Sequence, residues 1–139
     1  MSAAESRPPH PPAVGDVMSK PVLTVEIDES LWDAWQLLFV SGLRHLVVLG
    51  HDGECLGVLS DRNILAEVPA TAENLGRRRV RDVLAMVPVV SVDPGVSPVV
   101  AAQAMVANAA EAVPVLDGNG RLLGIVTESD IVRWLVDAA

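Results

Sequence analysis

Apolar and polar positions along this chain fall into a pattern that occurs twice. A short β-branched run, residues 22–25, precedes a segment of helical period that opens at Ser30. Two apolar runs follow, 46–49 and 56–59, joined by His51-Asp52-Gly53, and a second helical segment starts at Ser60. The same order returns with a strand at 89–92, a helix opening at Ser97, apolar runs at 112–116 and 122–126, and a closing helix from Thr127. Short apolar runs bounded by Asp, Asn and Gly read as hairpins, here joined in the second copy by Asp117-Gly118-Asn119-Gly120. Ser30 with Asp33 fits an N-terminal capping box, and Pro98 after Ser97 fits the first helical position. The predicted architecture is α+β, in the order β-α-β-β-α, twice.

The register confirms a true repeat. Val14-Gly15-Asp16-Val17-Met18 returns as Val80-Arg81-Asp82-Val83-Leu84 at an offset of 66. Pro21-Val22-Leu23-Thr24-Val25 returns as Pro88-Val89-Val90-Ser91-Val92 at 67, and the same offset relates Leu46–Leu49 to Val113–Leu116 and Gly57–Ser60 to Gly124–Thr127. We place repeat one at 14–67, a linker at 68–79 and repeat two at 80–139. Residues 1–13, with Pro8, Pro9, Pro11 and Pro12, are expected to be a disordered tail. Four-residue strands cannot bury themselves alone, so the two copies should pack about a pseudo-twofold axis.

Composition narrows the function. Apolar residues are 50% of 139, and ten glycines bring the sum to roughly 57%, above the usual 45–50%. This surplus predicts self-association. Aromatic residues are only 3%, and the net charge is −8; both oppose single-stranded nucleic acid, and the charge also opposes anionic lipid. No run reaches the ~18 apolar residues of a membrane span, the first residues lack the apolar stretch of a signal peptide, and the expected location is cytoplasmic. Cys55 is the only cysteine, which excludes an internal disulfide and a cysteine-based zinc site. Neither a metal cluster nor a nucleophile with a base is apparent, so catalysis is not expected.

The blocks Val-x-Asp-Val-Met, Pro-x-x-Thr-Val, the hairpin, and Gly-aliphatic-aliphatic-Ser/Thr-x-x-Asp/Asn, occurring twice over about residues 14–137, resemble the paired cystathionine-β-synthase (CBS) repeats of a Bateman module. The resemblance implies a regulatory sensor that binds an adenosine-type ligand (AMP, ADP, ATP, NAD or S-adenosylmethionine class) in a cleft between repeats. It also implies a homodimer that signals to a protein partner in trans, with no obligatory cofactor. A ligand-free dimerisation module is the alternative.

The family's ribose-binding element maps onto Thr127, Ser129 and Asp130, and in the first copy onto Ser60, Arg62 and Asn63. A carboxylate accepts strong charge-assisted bonds from both ribose hydroxyls; an amide lacks that charge, so the Asn63 site should be weaker or empty. Ser/Thr-x-x-Asp is equally a plain helix cap, and the two roles are compatible. Arg44 and His45 occupy places that face ligand phosphates in the family and could serve the Asp130 site from the other copy. Base contacts are expected from Val22, Leu23 and Thr24, from Val89, Val90 and Ser91, and from Ala112, Val113 and Pro114.

Three weaker signals have ordinary readings. Gly118-x-Gly120 with Gly124 misses the dinucleotide spacing and lies in a hairpin. Arg77, Arg78, Arg79 and Arg81 read as a solvated linker rather than a nucleic-acid patch. Trp32, Trp35 and Phe39 form one helical stripe, expected in the core, with a dimer contact as the alternative.

Overall fold

The computed structural model describes residues 12–85 and 90–138. The elements are α1 (Val14–Val17), β1 (Thr24–Glu26), α2 (Leu31–Ser41), β2 (His45–Leu49), β3 (Cys55–Ser60), α3 (Asp61–Glu67), α4 (Ala72–Gly76) and α5 (Val80–Leu84) in the first part of the chain. They are followed by α6 (Pro98–Asn108), β4 (Ala112–Leu116), β5 (Leu122–Thr127) and α7 (Glu128–Ala138). The predicted tail, residues 1–13, falls almost wholly outside the described residues, as does Val89.

The caps behave as their residue types require. Ser30 accepts from the Asp33 N–H at 3.1 Å, Ser97 from Val100 at 3.2 Å with Pro98 behind it, and Ser60 from Asn63 at 3.0 Å. Helix α2 ends at Gly42 in the left-handed region, φ 73°, where glycine has no Cβ penalty. Its counterpart in α6 is Ala109, also left-handed at φ 52°, a conformation that costs a residue with a Cβ about 1–2 kcal/mol.

Both hairpins form in matching register, Val47 opposite Val58 and Pro114 opposite Ile125. The leading strands differ. Thr24–Glu26 pairs parallel with Val47–Leu49, giving a three-stranded sheet β1-β2-β3. In repeat two only Val92 makes an isolated parallel bridge, to Val115, and the strand expected at 89–92 is not formed among its described residues. The segment between repeats carries the short helix α4 rather than plain coil.

Three apolar clusters organise the packing. One fills repeat one around Leu31, Leu46, Leu59 and Ile64; another fills repeat two around Ala101, Val113, Val115 and Val126. The third, Val47, Val58, Ala112 and Ile125, lies where β-strands of the two repeats face each other. Val58 and Ile125 are repeat equivalents, as a pseudo-twofold requires.

The opening segment of each repeat crosses to the other. Val14 is fully buried in the cluster of repeat two, while Val80 and Val83 are buried in that of repeat one. Ser19 then pairs with Ile125, N–H to carbonyl at 2.7 and 3.1 Å. This crossing needs a glycine: a Cβ on Gly124 would stand 2.7 Å from Met18 Sδ and 3.0 Å from the Ser19 carbonyl oxygen. The arginines between repeats are tied down. Arg81 binds the Asp28 carboxylate, Arg77 pairs with Glu73 at 2.6 Å, and the Val80 N–H donates to the Glu29 carbonyl at 2.9 Å.

Candidate functional site

Two clefts lie between the repeats at pseudo-symmetric places, and they differ in size and charge. The larger, about 260 Å³, is lined by Ser19, Pro21, Val22 and Leu23, by Gly42 through His45, and by Ile125, Thr127, Ser129, Asp130 and Arg133. The smaller, about 40 Å³, is lined by Val58, Ser60 and Asn63 opposite Val90, Ala109 to Ala112 and Pro114, with His45 reaching it too.

Asp130 sits on the first turn of α7, where a capping box forms by the same chemistry that Ser60 and Asn63 use on α3. Its Oδ2 accepts the Thr127 N–H at 2.9 Å, and its own N–H donates to Thr127 Oγ1 at 3.2 Å. The residue is 3% exposed, yet it lines the cleft. Its Oδ1 accepts the Ser19 hydroxyl at 2.8 Å and the Arg133 Nη1 at 3.3 Å. A carboxylate offers about four acceptor sites; three are used, which leaves one on Oδ2. The Ser19 hydroxyl occupies Oδ1 as a sugar hydroxyl would.

Arg44 and His45 reach this cleft from the start of β2, in the opposite repeat from Asp130. Arg44 also lies 3.7 Å from Asp61. Burial pushes His45 below its ordinary pKa; Glu111 and Asp61 pull it up, and Arg44 pushes it further down. At neutral pH the ring is therefore uncharged, and Arg44 and Arg133 are the cations of the larger cleft.

At the smaller cleft the counterpart of Arg44 is Glu111, which binds Arg62 at 3.0 Å. Asn63 holds the Ser60 N–H at 2.9 Å. Glu111 neutralises Arg62 there, so this rim offers phosphate less positive charge than Arg44 and Arg133 bring to the larger cleft.

The expected base contacts divide between the clefts. Val22 and Leu23 line the larger one; Val90, Ala112 and Pro114 line the smaller. Val113 is fully buried in the core of repeat two, because alternate strand residues face opposite sides. Ser91 is exposed, and Thr24 lines a separate depression beside Glu26 and His51. Ser19, Pro21, Gly42, Leu43 and Arg133 were not singled out from the sequence; the exchange of the opening segment is what brings Ser19 there.

Glu26, Asp28 and His51 hold ligand atoms within 4.8 Å of one another, but the Arg81 guanidinium already occupies Asp28 and, with His51, holds its carboxyl below the usual range. That occupancy disfavours a metal ion. Burial raises the Cys55 thiol, the opposite of what a nucleophile needs. Among the described residues no helix is long and apolar enough to cross a membrane.

The CBS domain pattern matches residues 14–70 and again 80–137. This chain belongs to the CBS domain family. A CBS domain-containing protein of Dictyostelium discoideum is 33% identical, over 88% of this chain and 90% of its own length. A homoserine O-acetyltransferase of Methanosalsum zhilinae is 31% identical, but this CBS pair spans only 24% of it. Among solved structures, the CBS domain protein TA0289 of Thermoplasma acidophilum superposes with a TM-score of 0.79 at 27% identity, covering 91% of this chain and 70% of that one. CBSX2, solved in complex with AMP, gives 0.73 at 25% identity, covering 91% and 98%. The CBS resemblance and the α+β fold of paired repeats both hold.

Proposed function

We propose that this CBS pair is a non-enzymatic regulatory module that binds a phosphate-bearing adenosine ligand in the Asp130 cleft. It reports occupancy to a protein partner in trans. The observation that carries this reading is the convergence, in one open cleft, of a buried carboxylate with an acceptor site to spare and two arginines. Oδ2 of Asp130 accepts one ribose hydroxyl, and the second hydroxyl replaces the Ser19 Oγ on Oδ1. Arg44 and Arg133 attract the phosphate, and Pro21, Val22 and Leu23 form an apolar wall for the base. The AMP complex of CBSX2 supports an adenine nucleotide as the ligand class.

The smaller cleft, where Glu111 neutralises Arg62, is left unfilled in this reading. The molecule works as a homodimer; all ten large hydrophobic side chains exposed among the described residues lie on, or directly after, α2, α3, α6 and α7. That surface favours, as the second reading, a ligand-free interaction module.

A thermal-shift series with AMP, ADP, ATP, NAD and S-adenosylmethionine separates the two. A ligand at 100 times its Kd stabilises the fold by about 2.7 kcal/mol. Adenine nucleotides should raise the midpoint, and Asp130→Asn should diminish the rise. A flat response to the whole series favours the interaction module.

A further inference from the structure

The buried carboxylate of the larger cleft has a partner that its helix cap does not require. Asp130 is 3% exposed, and its Oδ1 accepts the Ser19 hydroxyl at 2.8 Å. Ser19 itself is exposed and lines the cleft. The cap uses other atoms: Oδ2 of Asp130 with the Thr127 N–H, and the Asp130 N–H with Thr127 Oγ1. The other repeat shows the same separation. At the offset of 66 that relates the opening blocks, Ala85 stands where Ser19 does, and the Ser60–Asn63 cap closes with no hydroxyl from that position. The Ser19 backbone is also held independently of its side chain, bonded to Ile125 in both directions at 2.7 and 3.1 Å. Its hydroxyl can therefore leave Asp130 by a rotamer change while the segment stays in place. A buried carboxylate oxygen short of donors is costly. Ser19 supplies a donor when the cleft is empty, and it is the same kind of donor that a sugar would bring.

Resting on the nucleotide reading above, we infer that Ser19 is a built-in competitor for the sugar and sets the preference of the cleft between ribose and deoxyribose. A ligand with two adjacent hydroxyls fills the spare position on Oδ2 and displaces Ser19 from Oδ1. That second bond replaces one the protein already makes, hydroxyl for hydroxyl, so it adds little affinity. A deoxyribose ligand fills Oδ2 and leaves Ser19 where it stands. The native cleft accordingly takes both sugars with similar affinity. Without the Ser19 hydroxyl, water takes its place on Oδ1, and an untethered water is displaced more readily than a side chain held at the spot. Ribose then gains a bond that deoxyribose cannot make.

The test is titration calorimetry on the whole chain and on Ser19→Ala, with AMP, 2′-deoxy-AMP and 3′-deoxy-AMP, which share base and phosphate. One of the two deoxy nucleotides should bind the wild type nearly as tightly as AMP does. In Ser19→Ala the AMP affinity should rise about tenfold, as expected for one hydrogen bond to a charged group, while that deoxy nucleotide keeps its wild-type affinity. The ligand-free variant should melt below the wild type, and saturating AMP should close the gap. A merely structural Ser19 would lower the midpoint without tightening AMP binding. Unchanged or weakened AMP binding in Ser19→Ala, or two deoxy nucleotides that both bind the wild type far more weakly than AMP, overturns the competitor role and leaves the nucleotide reading standing. A wild type that binds none of the three overturns the nucleotide reading, and this inference with it.

Discussion

The two clefts are built from equivalent positions of one repeat, yet among the described residues only the Asp130 cleft combines space with positive charge. At the equivalent of Arg44 the other has Glu111; at Asp130, Asn63; at Gly42, Ala109. Its volume is about 40 Å³ against about 260 Å³. Duplication gave both clefts the same helix cap, because a Ser or Thr three residues before an Asp or Asn closes a helix start whatever else is present. Capping is therefore the shared role, and ligand capture depends on what surrounds the cap. The lesson is that the motif alone does not assign the site; the charges facing it do.

The contrast can be broken most strongly at Gly124, which lets the Met18–Ser19 segment cross β5 and deliver Ser19 to Asp130. Gly124→Val should cost about 2–3 kcal/mol through overpacking, read as a lowered urea midpoint. An unchanged midpoint would show that the crossing segment yields easily. Asp130→Asn makes the larger cleft resemble the smaller. Exchanging a charged acceptor for a neutral one should weaken AMP binding about tenfold, near 1.4 kcal/mol, in titration calorimetry. The reverse change, Asn63→Asp, should not create a comparable site, because Glu111 remains.

Ala109→Gly sharpens the comparison from the other side. It restores the residue that repeat one uses at Gly42, and relief of the left-handed Ala should raise stability by about 0.5–1 kcal/mol. A loss of stability would contradict that backbone reading. The smallest effect concerns His45. Its folded-state pKa lies below the unfolded value of about 6.5, so the unfolded chain binds the extra proton first. Stability should hold above that pH and decline as pH falls below it. His45→Gln should lessen the decline. Protonation adds charge beside Arg44, so AMP affinity should rise modestly over the same fall in pH, and a flat profile would remove His45 from the phosphate contact.

Local chemistry made much of the fold legible. The hairpins at Asp52-Gly53 and Gly118-Asn119-Gly120, the serine caps and Pro98 are fixed by residues within a few positions of one another. Asp130, Arg44 and His45 could be brought to one cleft because the repeat placed them on facing copies. The crossing of α1 and α5 was not legible: Val14-Gly15-Asp16-Val17 reads identically whichever core it enters. Ser19 was missed for the same reason, although Gly124, a glycine inside a strand, signals a close backbone approach. Phe39 was expected with Trp32 and Trp35 in the core; both tryptophans do pack there, but a helix stripe one turn longer carries Phe39 past the core's edge. Val113 was expected among the base contacts, but alternation along β4 turns its side chain into the core of repeat two.

Titration calorimetry of AMP against the wild type and Asn63→Ala tests the central claim most directly. One site per chain, unaltered by Asn63→Ala, is the predicted result. Two equivalent sites, or loss of binding when Asn63 alone is changed, would contradict it.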